Sequence, residues 1–127
     1  MNIIIRTGAG LAALAVALGA FGAHKLKELV DAQALATWET AVRYHMYHAL
    51  GLLLIGLIFS QKSEKSMKTA GWLIIAGICC FSGSLYVLSL RNLLPFSVMW
   101  LGPITPIGGV LFILGWLRLC VPGKADN

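Results

Sequence analysis

Arg43-Tyr44-His45-Met46-Tyr47-His48-Ala49-Leu50-Gly51-Leu52-Leu53-Leu54-Ile55-Gly56-Leu57-Ile58-Phe59 places two histidines at the head of an unbroken apolar run. A run this apolar is out of place on a small soluble domain and reads as part of a membrane span. Ionisable groups inside a bilayer are costly, so residues 43–48 are where a functional or assembly site is expected.

Composition supports the same reading across the chain. Of 127 residues, 58% are hydrophobic and 12% charged, values that belong to membrane proteins. At about 20 residues per crossing there is room for roughly four helices and little else. The expected fold is therefore all-α: one integral membrane four-helix bundle over residues 1–127. The net charge of +5 is not a nucleic-acid signal, because the basic residues cap hydrophobic runs and form no basic face. Cys79 and Cys80 are adjacent in an apolar stretch and Cys120 stands alone. With no Cys-x-x-Cys spacing, all three read as small apolar fillers.

Four apolar segments predict helix 1 over about 3–23, helix 2 over about 39–60, helix 3 over about 70–90 and helix 4 over about 104–119. One plainly polar linker, residues 61–69, separates helices 2 and 3. Residues 25–37 are too polar to span. Leu26, Leu29, Val30, Leu35 and Trp38 recur near helical spacing, which predicts a short external amphipathic helix between helices 1 and 2. Residues 93–100 are too short to cross and should lie at the outer interface, anchored by Trp100. Helix 1 also has the look of a signal peptide, but its apolar run is longer than a usual signal core, so it is expected to be retained.

Four spans put residues 6, 62, 65, 68, 118 and 124 on one side, all Lys or Arg. Lys25, Lys27, Arg43 and Arg91 fall on the other. The positive-inside rule then predicts both termini in the cytoplasm. Helix 1 carries the ladders Ala9–Ala13–Ala17 and Ala15–Gly19–Ala23, which suit either tight packing within the bundle or a dimerisation face. Thr105-Pro106 resembles an N-cap followed by the first helical position.

Counting along the spans brings His48, the Ser82-Gly83-Ser84 patch and Gly108-Gly109 to one depth, with His45 level with Thr105. Tyr44 and His45 share a helix face with His48. The expected polar layer comprises Tyr44, His45, His48, Ser82, Ser84, Tyr86, Thr105, Gly108 and Gly109, with His24, Glu39 and Arg43 at the outer interface. Three readings stay open. His48 bonds Ser82, Ser84 or Tyr86 and locks the bundle; the layer lines a path for a proton, ion or small solute; or it holds a metal or haem. No carboxylate or cysteine in the spans completes a metal sphere, so no cofactor and no metal are expected. No catalytic motif such as His-Glu-x-x-His or Gly-x-Ser-x-Gly occurs, which points away from an enzyme.

Four ordered motifs carry a resemblance over nearly the whole chain. They are residues 19–24 (GAFGAH), 41–50 (AVRYHMYHAL), 81–86 (FSGSLY) and 101–109 (LGPITPIGG), followed by Gly115-Trp116. Together they resemble domain-of-unknown-function family 423, small four-span proteins of bacterial inner membranes similar to transmembrane protein 256 of animals. The resemblance implies a bacterial inner-membrane location and a shared site formed by the four motifs, and it implies no reaction. In such proteins the His45 position is often glutamine, which shifts weight onto His48 and His24. The expected function is a non-enzymatic structural, assembly or partner-binding component built around the polar layer. A small transporter or channel-like component and a cofactor-binding subunit are the alternatives. The lipid bilayer is the expected partner, with room for a homo-oligomer or a second membrane protein and none for nucleic acid.

Overall fold

The computed structural model describes residues 2–58 and 64–121. Its helices are α1 (Asn2–His24), α2 (Ala32–Ile58), α3 (Glu64–Gly77), α4 (Gly83–Ser89) and α5 (Ile104–Cys120). A π-helical segment, Ile78–Ser82, joins α3 to α4. Among the described residues no strand occurs. Four stretches are long and apolar enough to cross a bilayer: Ile3–Glu28, Ala32–Ile58, Lys65–Ser89 and Met99–Cys120. A bilayer leaves this architecture few competitors, because every backbone polar group must be satisfied within the segment itself. Large apolar side chains are exposed along every span, among them Val16, Leu54, Trp72 and Ile113. In water such a surface would be a liability; against lipid it costs nothing.

The helices form two antiparallel pairs. α1 packs along α2, and α5 packs along α3 and the π segment; α2 joins the pairs by lying against the π segment and α4. Near the α2 C-terminus the pairs share a cluster of Ile4, Leu52, Ile55, Met67, Ala70, Ile74, Ile78 and Phe112. The Ala15–Gly19 ladder faces α2, with Ala15 fully buried. Ala9, Ala13 and Ala17 point outward.

Two boundaries differ from the sequence expectation, and so does one helix cap. No separate amphipathic helix forms over 25–37: Leu26–Glu28 make one 3₁₀ turn, and α2 runs unbroken from Ala32. Asp31 is the cause. Its carboxylate accepts from the Ala34 N–H at 2.8 Å and its carbonyl from the Leu35 N–H at 3.0 Å, which starts the helix there. Trp38 then turns inward, so α2 has about 40 Å of length rather than the reach of one span. α3 begins at Glu64, within the expected linker, because Ser66 and Met67 are buried. α5 begins at Ile104, where expected, but behind Pro103 and with no side-chain cap, so Thr105 does not cap it. Residues 59–60 of the expected helix 2, residues 61–63 of the linker and Lys124 lie outside the described residues. Residues 90–103 turn through two short 3₁₀ segments with Trp100 exposed.

Candidate functional site

Several polar side chains of the spans bond back to their own helix, but Trp38, His45, Ser82 and Ser84 reach across to another. Trp38 Nε1 donates to the Leu18 carbonyl at 2.9 Å, tying α2 to α1. Ser82 Oγ, fully buried, donates to the Ala41 carbonyl at 2.8 Å and ties the π segment to α2. His45 Nδ1 and the Tyr86 hydroxyl share a hydrogen bond of 2.8 Å between α2 and α4. Ser84 Oγ donates to the Phe81 carbonyl at 2.9 Å and meets Thr105 Oγ1 at 2.6 Å, reaching α5. The two aromatic side chains on this seam also touch, with Trp38 and Tyr86 ring centroids 4.7 Å apart. One chain of contacts therefore runs through all four spans.

Two expectations reverse here. His45, expected in the layer but with less weight than His48, is the histidine that bonds across it: it is 2% exposed and bonded to Tyr86. His48 bonds none of Ser82, Ser84 or Tyr86. Its Nδ1–H donates to the Tyr44 carbonyl of its own helix at 2.7 Å. Its ring lies flat on Phe112, centroids 3.5 Å apart and planes 14° from parallel. The reason is side-chain lean. Helical side chains tilt toward their own N-terminus, so on antiparallel helices His45 and Tyr86 reach toward each other from different depths. Counting Cα positions does not register that reach.

The remaining expected members divide. Tyr44 is 40% exposed and packs its ring on Phe81, centroids 4.8 Å apart, rather than entering the layer. Thr105 is not a cap but the partner of Ser84. Gly108 lies directly against the backbone of the π segment: a Cβ there would run into the Phe81 backbone nitrogen and stand 2.7 Å from its Cα. At Gly109 the nearest neighbour would be a Phe81 ring carbon at 4.0 Å. His24, Glu39 and Arg43 are exposed at the end of the bundle where α1 finishes and α2 starts.

Sequence reasoning missed Trp38 as a member of the layer. The available signal was Gly22 in α1: only a missing Cβ leaves room for the indole, whose Cδ1 would stand 2.6 Å from one. It also missed the π segment, a rare form that tends to mark functional sites, for which residues 78–82 carry no sequence signal. Cys79 and Cys80 lie in that segment, Cys79 exposed. Among the described residues no three His, Cys, Asp or Glu side chains gather as a metal site.

One polar atom of the layer is left over. His45 Nε2 is buried without a hydrogen-bond partner. Replacing His45 should therefore separate two effects. His45→Leu is expected to destabilise the bundle by about 1–2 kcal/mol, since the half-buried Tyr86 hydroxyl loses its partner. His45→Gln keeps a polar partner for Tyr86 and should cost less than half of that. His48→Leu should also cost less, because its hydrogen bond stays within one helix. Thermal unfolding in detergent checks the order; a loss for His48→Leu equal to that for His45→Leu would contradict it.

The fold and this site define a small multi-pass membrane protein, a four-helix bundle laced by a polar layer. The chain belongs to the family described as "Protein of unknown function (DUF423)", whose model matches residues 18–109. It is similar to UPF0382 membrane protein YwdK of Bacillus subtilis, 48% identical over 122 residues, covering 95% of each chain. UPF0382 membrane protein SSP2132 of Staphylococcus saprophyticus is 49% identical over 121 residues, 95% of this chain and 96% of that one. A UPF0382 membrane protein of Staphylococcus epidermidis is 50% identical over 121 residues, 95% of this chain and 94% of its own. No solved structure matches the chain. The matched span contains the motifs at 19–24, 41–50, 81–86 and 101–109, which supply Gly22, Ala41, His45, Ser82, Ser84, Tyr86, Thr105 and Gly108.

Proposed function

We propose that this protein is a non-enzymatic membrane component whose polar layer holds four spans in one arrangement, leaving its outer surface for lipid and for a membrane-protein partner or a second copy. One observation carries the reading: Trp38, Ser82, Ser84 and Thr105 and the His45–Tyr86 pair direct their hydrogen bonds from helix to helix. A conducting path needs polar groups turned toward a solute, whereas these are turned toward one another. Between membrane helices such bonds act as glue where lipid supplies no hydrophobic drive.

A second reading has one observation in its favour. The unpartnered His45 Nε2 is a buried ring nitrogen of the ionisable kind a proton path uses. Reconstitution into liposomes loaded with a pH-sensitive dye separates the two. The structural reading expects no proton flux above that of empty vesicles under an imposed potential. Flux that disappears in His45→Gln would overturn it in favour of a path.

The proposed setting is the bacterial inner membrane with both ends of the chain in the cytoplasm. Its support is the Lys and Arg asymmetry, Arg6, Lys62, Lys65, Lys68, Arg118 and Lys124 against Lys25, Lys27, Arg43 and Arg91. A C-terminal alkaline phosphatase fusion should be inactive and a green fluorescent protein fusion bright. The opposite pattern would invert the topology.

A further inference from the structure

Glu39 and Arg43 stand four residues apart on α2 and line one groove of about 320 Å³ on the seam with α1, together with Gly19, Trp38 and Val42. That size lies at the low end of small-molecule sites, which run from about 300 to 1,000 Å³. Both charged side chains are exposed. They do not pair with each other, although a four-residue spacing places them on one face, about 6 Å apart along the axis. A groove with an unused carboxylate and an unused guanidinium is complementary to a zwitterion of similar length.

The order of these groups along α2 identifies the zwitterion. Glu39 is nearest the polar end of the span and Arg43 one turn deeper. Below them the outward surface of α1 and α2 turns apolar, with Val16, Leu50 and Leu54 all exposed. An aminophospholipid presents the same sequence from water inward: ammonium, phosphate, acyl chain. We propose that the α1–α2 groove binds a phosphatidylethanolamine-type lipid, with its ammonium on Glu39, its phosphate on Arg43, its headgroup seated over Gly19 and Val42 and an acyl chain descending past Leu50 and Leu54. The match follows the direction of α2 and holds in whichever leaflet that end lies.

Chemistry sets the selectivity. An ethanolamine ammonium has three N–H donors for the carboxylate, and a guanidinium binds phosphate through paired N–H groups. A choline headgroup has no N–H to donate. A phosphatidylglycerol headgroup brings no cation to Glu39. The groove should rank ethanolamine above choline and glycerol lipids.

The test uses the full chain in detergent. Thermal unfolding is followed while dioleoyl phosphatidylethanolamine, phosphatidylcholine or phosphatidylglycerol is added in mixed micelles. The expected result is a larger upward shift of the midpoint with the ethanolamine lipid. Its half-saturating mole fraction should rise about tenfold in Arg43→Gln, the loss of one charge-assisted hydrogen-bonded contact. Glu39→Gln should bring the ethanolamine lipid down to the level of the choline lipid and leave the latter unchanged. Because both side chains are exposed, the lipid-free midpoints of the variants should match the parent, which separates binding from folding. Equal shifts by all three lipids, or an ethanolamine preference that survives Glu39→Gln, would overturn the proposal. So would O-phosphoethanolamine alone reproducing the whole shift, since the ligand would then be a soluble zwitterion.

Discussion

Gly108→Leu is expected to prevent the fourth span from docking. At this position α5 lies so close to the π segment that any Cβ meets the Phe81 backbone nitrogen and Cα. A side-chain neighbour can rotate away; a backbone neighbour moves only if the whole helix moves. Overpacking by a few methylenes in a dense core already costs about 1–3 kcal/mol, and a leucine against backbone should exceed that range. The displaced helix would also lose the Ser84–Thr105 contact and the stacking of Phe112 on His48. Gly108→Ala should show an intermediate loss, and Gly109→Ala almost none, because a Cβ there meets only a ring carbon at ordinary van der Waals distance. Size-exclusion behaviour and thermal unfolding in detergent read the series. Equal tolerance at the two neighbouring glycines would mean that the close crossing does not hold the bundle.

Trp38→Ala should give the second large loss, about 3 kcal/mol, at the low end of the range for deleting a buried tryptophan in a soluble core. The low end applies because lipid is as apolar as the indole, so the loss comes from contacts and one hydrogen bond rather than from transfer out of water. The indole is 4% exposed, lies on Gly22, contacts Phe21 and Tyr86, and donates to Leu18. Trp38→Phe keeps an aromatic ring and removes the donor, so it should cost about 1 kcal/mol. Were the phenylalanine variant as unstable as the alanine one, the hydrogen bond rather than the packing would hold α1 to α2.

Gly108 sits in a motif visible in the chain and Trp38 just ahead of one, but the weight of neither is visible there. Gly22 stands in the sequence only as part of a motif and Gly108 only as a small member of the layer; each is a contact that a particular neighbour requires, the Trp38 ring in one case and the Phe81 backbone in the other. Trp38 read as the apolar edge of a surface helix, because the charges at Lys25, Lys27, Glu28 and Asp31 made the whole segment look interfacial. Asp31 instead closes that segment and starts the next helix. The serines and Thr105 were legible as one layer because polar groups in an apolar run stand out whatever their rotation.

Four spans, a bundle, the polar residues within it and the family motifs all follow from the order of residues alone. The cause is the bilayer: hydropathy along a line suffices when the solvent is a slab of known thickness that admits only helices of about 20 residues or closed barrels. Which histidine enters the layer depends on how each helix is rotated and which way its side chains lean. A helix that is apolar on every face carries no record of its rotation. Folding places His45 against Tyr86, lays His48 on Phe112 and opens the helix into a π turn where Gly108 approaches. Those choices are set by which surfaces fit closely enough to exclude lipid, a property of pairs of helices and not of any one segment.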